Sequence, residues 1–176
     1  MRLLNREIIT TPIEDKAAAR IVDVEMVYEK TKSFAITFEL LNGQNAGILI
    51  RDDKFHATEQ GKYFWKFKQL MKALGKYKVS EDIELEKTFL NKNLYVFLTI
   101  FRTENRFGKE LQFQNVLYAG CPYTDNQIAG FIQDVEEKLK IETMNQIHNM
   151  VNTIKEQSSD SPFIDLGNSI PVPRKV

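Results

Sequence analysis

The stretch LYVFLTIFRTENRFGKELQFQNV, Leu94 to Val116, decides how the chain is read. Leu94, Val96, Leu98 and Ile100 alternate with Tyr95, Phe97, Thr99 and Phe101. Successive side chains of a strand point to opposite faces, so this strand is aliphatic on one face and largely aromatic on the other. A turn follows from Thr103 to Lys109, with Arg106, Phe107 and Lys109 at its tip, and a partner strand starts near Glu110. In the partner, Leu111 and Phe113 are in phase, but Asn115 then falls inward while Val116 and Tyr118 fall outward. A β-bulge near Gln114 is the expected remedy, because one extra residue resets the alternation.

Upstream, Lys16 to Glu29 reads as a strand with Val22, Val24, Met26 and Tyr28 on one face and Asp23 and Glu25 on the other. Lys30 to Ser33 is a turn. Ser33 to Leu41 is a second strand, with Phe34, Ile36, Phe38 and Leu40 inward and Glu39 outward. Asn42-Gly43 supplies a hairpin signal, and Ala46, Ile48 and Ile50 begin a third strand, so residues 16–52 read as a meander. The period then becomes helical from Glu59 to Leu74, through Tyr63, Phe64, Phe67, Leu70, Met71 and Leu74, with Gly75 as the stop. The acidic link SEDIELE, Ser80 to Glu86, reads as a solvated loop.

Beyond Pro122, Thr124 or Asp125 can cap a helix running to about Gln157. Ile128, Phe131, Ile132, Val135 and Leu139 suit a face packed on the domain, and the expected partner of the first four is the aromatic face of Tyr95, Phe97 and Phe101. The other reading leaves those rings open as stacking rungs. Met144, Ile147, Val151 and Ile154 are spaced 3, 4 and 3, like a short coiled-coil seam that could pair two copies into a homodimer. The division expected is an N-terminal arm (1–15), a folded domain (16–122), a C-terminal helix (123–157) and a disordered tail (158–176), rich in Ser and Pro.

Composition bounds the chemistry. The 176 residues carry 24 basic and 24 acidic side chains, so bulk charge selects no partner. A single cysteine, Cys121, excludes an internal disulfide framework and a cysteine-rich zinc site, and reads as a buried structural thiol. No stretch approaches the roughly 18–20 apolar residues of a membrane span. The first residues lack a signal-peptide pattern, so the expectation is a soluble protein of the cytoplasm, that of the host if the source is viral. His56 and His148, the only histidines, have no metal-ligand spacing, and no phosphate loop, HExxH or GxSxG occurs. No cofactor, metal or catalysis is expected.

The order β-β-β-α-β-β-α matches, in its first six elements, the OB-fold, a five-stranded Greek-key barrel with a helix between strands three and four. Four stretches sharpen this: NGQNAGILI (Asn42 to Ile50), FKQLMKALG (Phe67 to Gly75), LNKNLYVFLTI (Leu90 to Ile100) and FGKELQFQNVLYAGCP (Phe107 to Pro122). In hydrophobic spacing and turns, residues 16–122 resemble the phage-encoded single-stranded DNA-binding proteins built on an OB-fold. Asn91 stands where many of those have glycine, and the tail ends in PRKV rather than in an acidic run closing on phenylalanine. The resemblance implies non-sequence-specific binding of single-stranded DNA in phage DNA replication or recombination. It also implies replication or recombination proteins as partners of the tail.

An OB barrel binds through the loops joining strands 1–2 and 4–5 and the face of strands 2–3. The candidate contacts are therefore Lys30, Lys32, Arg51, Arg102, Arg106 and Lys109 to phosphate, and Phe107 to a base. Asp23, Glu25 and Glu39 on outward faces would repel phosphate. The lysines Lys54, Lys62, Lys66, Lys68, Lys72, Lys76 and Lys78 read as one solvated face. The rival expectation is a non-enzymatic protein-interaction module, or a viral accessory or adaptor protein, acting through the helix seam and SPFIDLG.

Overall fold

A computed structural model describes residues 6–78 and 83–160, with the side chains of 159 and 160 excepted. Its elements are β1 (Asp15–Tyr28), β2 (Ser33–Leu40), β3 (Leu49–His56), α1 (Phe64–Ala73), α2 (Leu85–Phe89), β4 (Asn93–Glu104), β5 (Glu110–Ala119) and α3 (Asp125–Asp160). The strands form one antiparallel sheet in the order β3-β2-β1-β4-β5. The chain divides into two compact units, residues 1–138 and 139–176.

The core of the first unit lies on one face of this sheet. Ala17, Ala19, Ile21 and Val24 of β1 meet Phe34, Ile36, Phe38 and Leu40 of β2, Ile50 and Phe55 of β3, and Leu94, Val96 and Leu98 of β4. Phe67, Leu70 and Met71 of α1 and Phe89 of α2 close over them. Phe34 sits at the centre, stacked on Phe55 at 5.0 Å and Phe89 at 5.5 Å, with Phe67 edge-on at 5.9 Å. On the opposite face, Ala18 and Leu41 pack under Ile128 of α3, with Tyr123, Phe131 and Ile132 beside them. Three consecutive alanines, Ala17 to Ala19, allow this: small side chains let both layers approach β1 closely.

The edges β3 and β5 are joined by side chains. In the gap, Asp52 of β3 accepts a hydrogen bond from the Tyr118 hydroxyl of β5 at 2.6 Å and pairs with the Lys66 ammonium of α1 at 2.5 Å. Lys66 is therefore no part of a solvated lysine face. It is 3% exposed and lies over the rings of Phe55 and Tyr118. Burial lowers its pKa, with Asp52 opposing that fall, and burial pushes the Tyr118 phenol well up. Lys62, Lys68, Lys72, Lys76 and Lys78 are exposed, as the pattern predicts. The stretch before β1 also spans the gap: the Ile9 amide donates to Leu49 of β3, and the Ile13 amide donates to the Gln114 side chain of β5.

Other expectations change as well. β5 pairs with β4 without a register shift from Tyr95–Ala119 to Glu104–Glu110, so no bulge lies near Gln114. Val116 and Tyr118 face the core, and Phe113 and Leu117 are on the exposed face. The irregularities lie in β1, between Ile21 and Asp23 and between Met26 and Tyr28, and in the β2–β3 ladder between Phe34 and Ile36. The first shifts β1 by one residue, so Ile21 and Val24 share the core and Met26 and Tyr28 are exposed. The first helix starts at Phe64 rather than Glu59, because residues 58–63 fold into turns in which His56 Nδ1 accepts from the Tyr63 amide. That is the role of His56. At the end of the acidic link, the short helix α2 begins and anchors Phe89 in the core. The terminal helix continues to Asp160, and tail residues 161–176 lie outside the described residues.

Among the described residues, no helix is long and apolar enough to cross a membrane.

Candidate nucleic-acid interface

The candidate contacts fall into two groups, which strand register separates. β1 leaves β4 at the pair Arg20–Asn93 and runs on to Tyr28, so the β1–β2 turn with Lys30 and Lys32 lies beyond that end. β4 runs the opposite way, from Leu98 opposite Asp15 out to Glu104. Its turn with Arg106, Phe107 and Lys109 is thus at the other end of the sheet. The two turns bracket the sheet and do not meet.

At the first end, Lys30 is exposed, and Lys32 adopts a positive φ of 45° while its carbonyl accepts from Ala57. Arg51, opposite Thr37, pairs with Glu25 of β1 at 2.6 Å. That pair reaches across β2, where Ala35 and Thr37 are buried. Glu39 does not face solvent as the alternation predicts. It is 3% exposed and held by Arg6 at 2.8 Å and Arg20 at 3.2 Å. Every residue of β2 is buried on both faces. On this side Glu25 and Glu39 are thereby each held by an arginine, while Arg51 and Asp53 of β3 stay exposed.

At the second end, β4 and β5 continue as a two-stranded ribbon past Leu98, where β1 stops pairing. Asn105 builds the turn: its side-chain oxygen accepts the amides of Phe107 at 2.9 Å and Lys109 at 3.0 Å. Gly108 takes a positive φ of 72°, which a residue without Cβ adopts freely. The Arg106 guanidinium lies 4.8 Å from the centre of the Phe107 ring, and that ring is 79% exposed. Arg102, Arg106 and Lys109 are exposed and make no ion pair among the described residues. This end joins a cation cluster to an exposed aromatic, a combination able to hold phosphate and stack a base.

The aromatic face of β4 departs from expectation. Helix α3 reaches only its near end, where Tyr123 lies 6.4 Å from Tyr95 and 5.0 Å from Phe131. Phe97 and Phe101 stay exposed, the latter at 60%. Alternation reveals that the strand has two apolar faces, but only tertiary packing tells how far a helix covers one of them. Lys16, exposed and opposite Phe97 in register, was also outside the candidates read from the sequence. Its only sequence signal is its place one turn of alternation from the buried alanines. Cys121 is half-buried against the Ala18–Leu41–Ile128 cluster. Among the described residues, no group of three or more His, Cys, Asp or Glu could hold a metal ion. Compared with protein-family models, curated proteins and solved structures, the chain matches none.

Proposed function

We propose that residues 16–122 form an OB-type barrel that binds single-stranded DNA without sequence preference, in the replication or recombination of phage-like DNA. The strand order supports the barrel: β3-β2-β1-β4-β5, all antiparallel, is the order of an OB sheet cut between β3 and β5. Helix α1, which follows β3 in the chain, packs against both of those edge strands, and the Asp52–Tyr118 bond ties them. The observation that carries the binding is the tip of the β4–β5 ribbon, where Arg106, Phe107 and Lys109 project together, unpaired by acids among the described residues.

The test is fluorescence anisotropy of a labelled oligo-dT titrated with the protein at several salt concentrations. Affinity should fall log-linearly with salt, since each neutralised phosphate of a single strand contributes a slope of about 0.7. Arg106→Ala with Lys109→Ala should weaken binding and reduce the slope by about 1.4. A flat salt response, or no binding at micromolar protein, overturns the proposal.

A second reading concerns the distal part of α3, which could serve as an interaction element. Met144, Ile147, Val151 and Ile154 are all exposed at seam spacing, and Thr143 to Ile154 contains no Asp, Glu, Lys or Arg. Asn and β-branched residues dominate that stretch and are weak helix formers, so a partner that buries the seam would stabilise it. Two copies of an uncharged seam meet without repulsion. The expected result is a dimer by light scattering, converted to monomer by Ile147→Glu with Val151→Glu. A wild-type monomer at all concentrations would exclude self-pairing.

A further inference from the structure

We infer that the outer face of the β4–β5 ribbon is a base-stacking platform, and that the bound strand runs along it rather than over strands 2 and 3. This rests on the single-stranded DNA reading above and goes further by naming where the bases lie. In register, the face presents three rows: Phe97 with Leu117, Thr99 with Asn115, and Phe101 with Phe113. Phe97, Phe101, Phe113 and Leu117 are all exposed. In the middle row the Asn115 amide donates to the Thr99 hydroxyl at 3.1 Å, which fixes a polar step between the two aromatic ones. Four residues of strand separate Phe97 from Phe101, about 13 Å.

Two further features select nucleobases as the occupant. Every residue on this face, from Tyr95 to Thr103 on β4 and from Leu111 to Ala119 on β5, is uncharged. The ribbon's carboxylates, Glu104 and Glu110, stand opposite each other in register on the other face. Cations stand instead at the borders: Lys16 directly across from Phe97 on β1, and Arg106 and Lys109 at the tip beyond Phe101. An uncharged aromatic strip bordered by cations at both ends fits a chain of flat bases on an anionic backbone. An apolar protein partner would have no use for the cations. The alternative path over strands 2 and 3 offers less, because the residues of β2 are buried, Arg51 is paired with Glu25, and Asp53 is exposed beside it.

The test compares oligo-dT with an oligonucleotide of equal length in which the central nucleotides are abasic, using wild type and the variant Phe97→Ala/Phe101→Ala/Phe113→Ala. These side chains are exposed, so the variant should fold, and circular dichroism checks this. Base–aromatic stacking is worth about 1–3 kcal/mol per base, or roughly 5- to 150-fold in affinity for each aromatic that stacks. Wild type should bind dT at least about tenfold more tightly than the abasic strand, and the variant, left with Phe107 to stack a base, should lose most of that preference. Lys16→Ala should weaken both strands equally. If wild type binds dT but does not distinguish the abasic strand, the platform is wrong while DNA binding stands. If wild type binds neither, the function itself is wrong. If the variant instead changes the oligomeric state, the face is an interface between copies and the inference falls.

Discussion

Replacing Asp52 with alanine is expected to destabilise the protein by about 3–5 kcal/mol, because it leaves a buried ammonium without its counter-charge. Lys66 and Asp52 are both almost wholly buried, and Tyr118 donates its hydroxyl to the same carboxylate. Alanine therefore removes the partner of a charge and the acceptor of a buried phenol at once. Lys66 would lose its proton at lower pH, since burial already lowers its pKa and Asp52 is what opposes that fall. Urea unfolding should show a lower midpoint with an unchanged slope. The double variant Asp52→Leu with Lys66→Met should recover most of the loss, since a buried ion pair replaced by apolar groups of similar volume is often neutral or stabilising. If the double variant is as unstable as Asp52→Ala, the cost lies in shape and not in charge. The cluster is also where β3 and β5 are tied, so the single variant should loosen both edges of the sheet. It lies away from the ribbon tip, and residual folded Asp52→Ala protein should bind DNA with unchanged salt dependence.

Phe34→Ala is expected to cost about 3–5 kcal/mol, the range for emptying a large aromatic site in a core. The ring is fully buried and touches Phe55, Phe67 and Phe89, which come from β3, α1 and α2. The cavity opens where four elements meet, and the neighbours are themselves rigid rings, so little collapse can fill it. Phe34→Leu should cost clearly less, as it keeps most of the volume. Thermal or urea denaturation of the two variants checks this. Equal losses for Ala and Leu would mean that ring geometry, rather than filled volume, sets the stability.

The sequence makes the sheet legible where alternation has one meaning. β2 and β4 are found within a residue or two because Phe34, Ile36, Phe38 and Leu40, and Leu94, Val96, Leu98 and Ile100, each put large apolar side chains on a single parity. β5 is misread because Leu111 and Phe113 look like core residues, whereas they share the outer face with Asn115 and no bulge is needed to bring Val116 and Tyr118 inward. An exposed apolar face is invisible to a rule that places apolar groups inside. Glu39 and Lys66 fail for a related reason. Their burial depends on Arg6, Arg20 and Asp52, partners that lie 14 or more positions away along the chain and meet them only in the folded sheet. α2 has five residues, too few to show a period. The tip of the 4–5 turn is legible because Arg106, Phe107 and Lys109 are adjacent in sequence. The aromatic rows and Lys16 are assembled only by cross-strand register, which no single strand displays.

The stretch preceding β1 bonds Leu49 near its start and Gln114 near its end, the latter 101 positions away in the chain. Its Leu49 bond can form once β3 has been made, but its Gln114 bond waits for β5, so the stretch docks in two steps. At about 5–20 residues per second, the ribosome takes several seconds to deliver Gln114. For that interval Ile13 lacks its Gln114 partner, and Asp52 on the β3 edge lacks the Tyr118 hydroxyl. The protein is thus most vulnerable to edge-to-edge association while it is still being made, and the event that ends the danger is the arrival of its final strand.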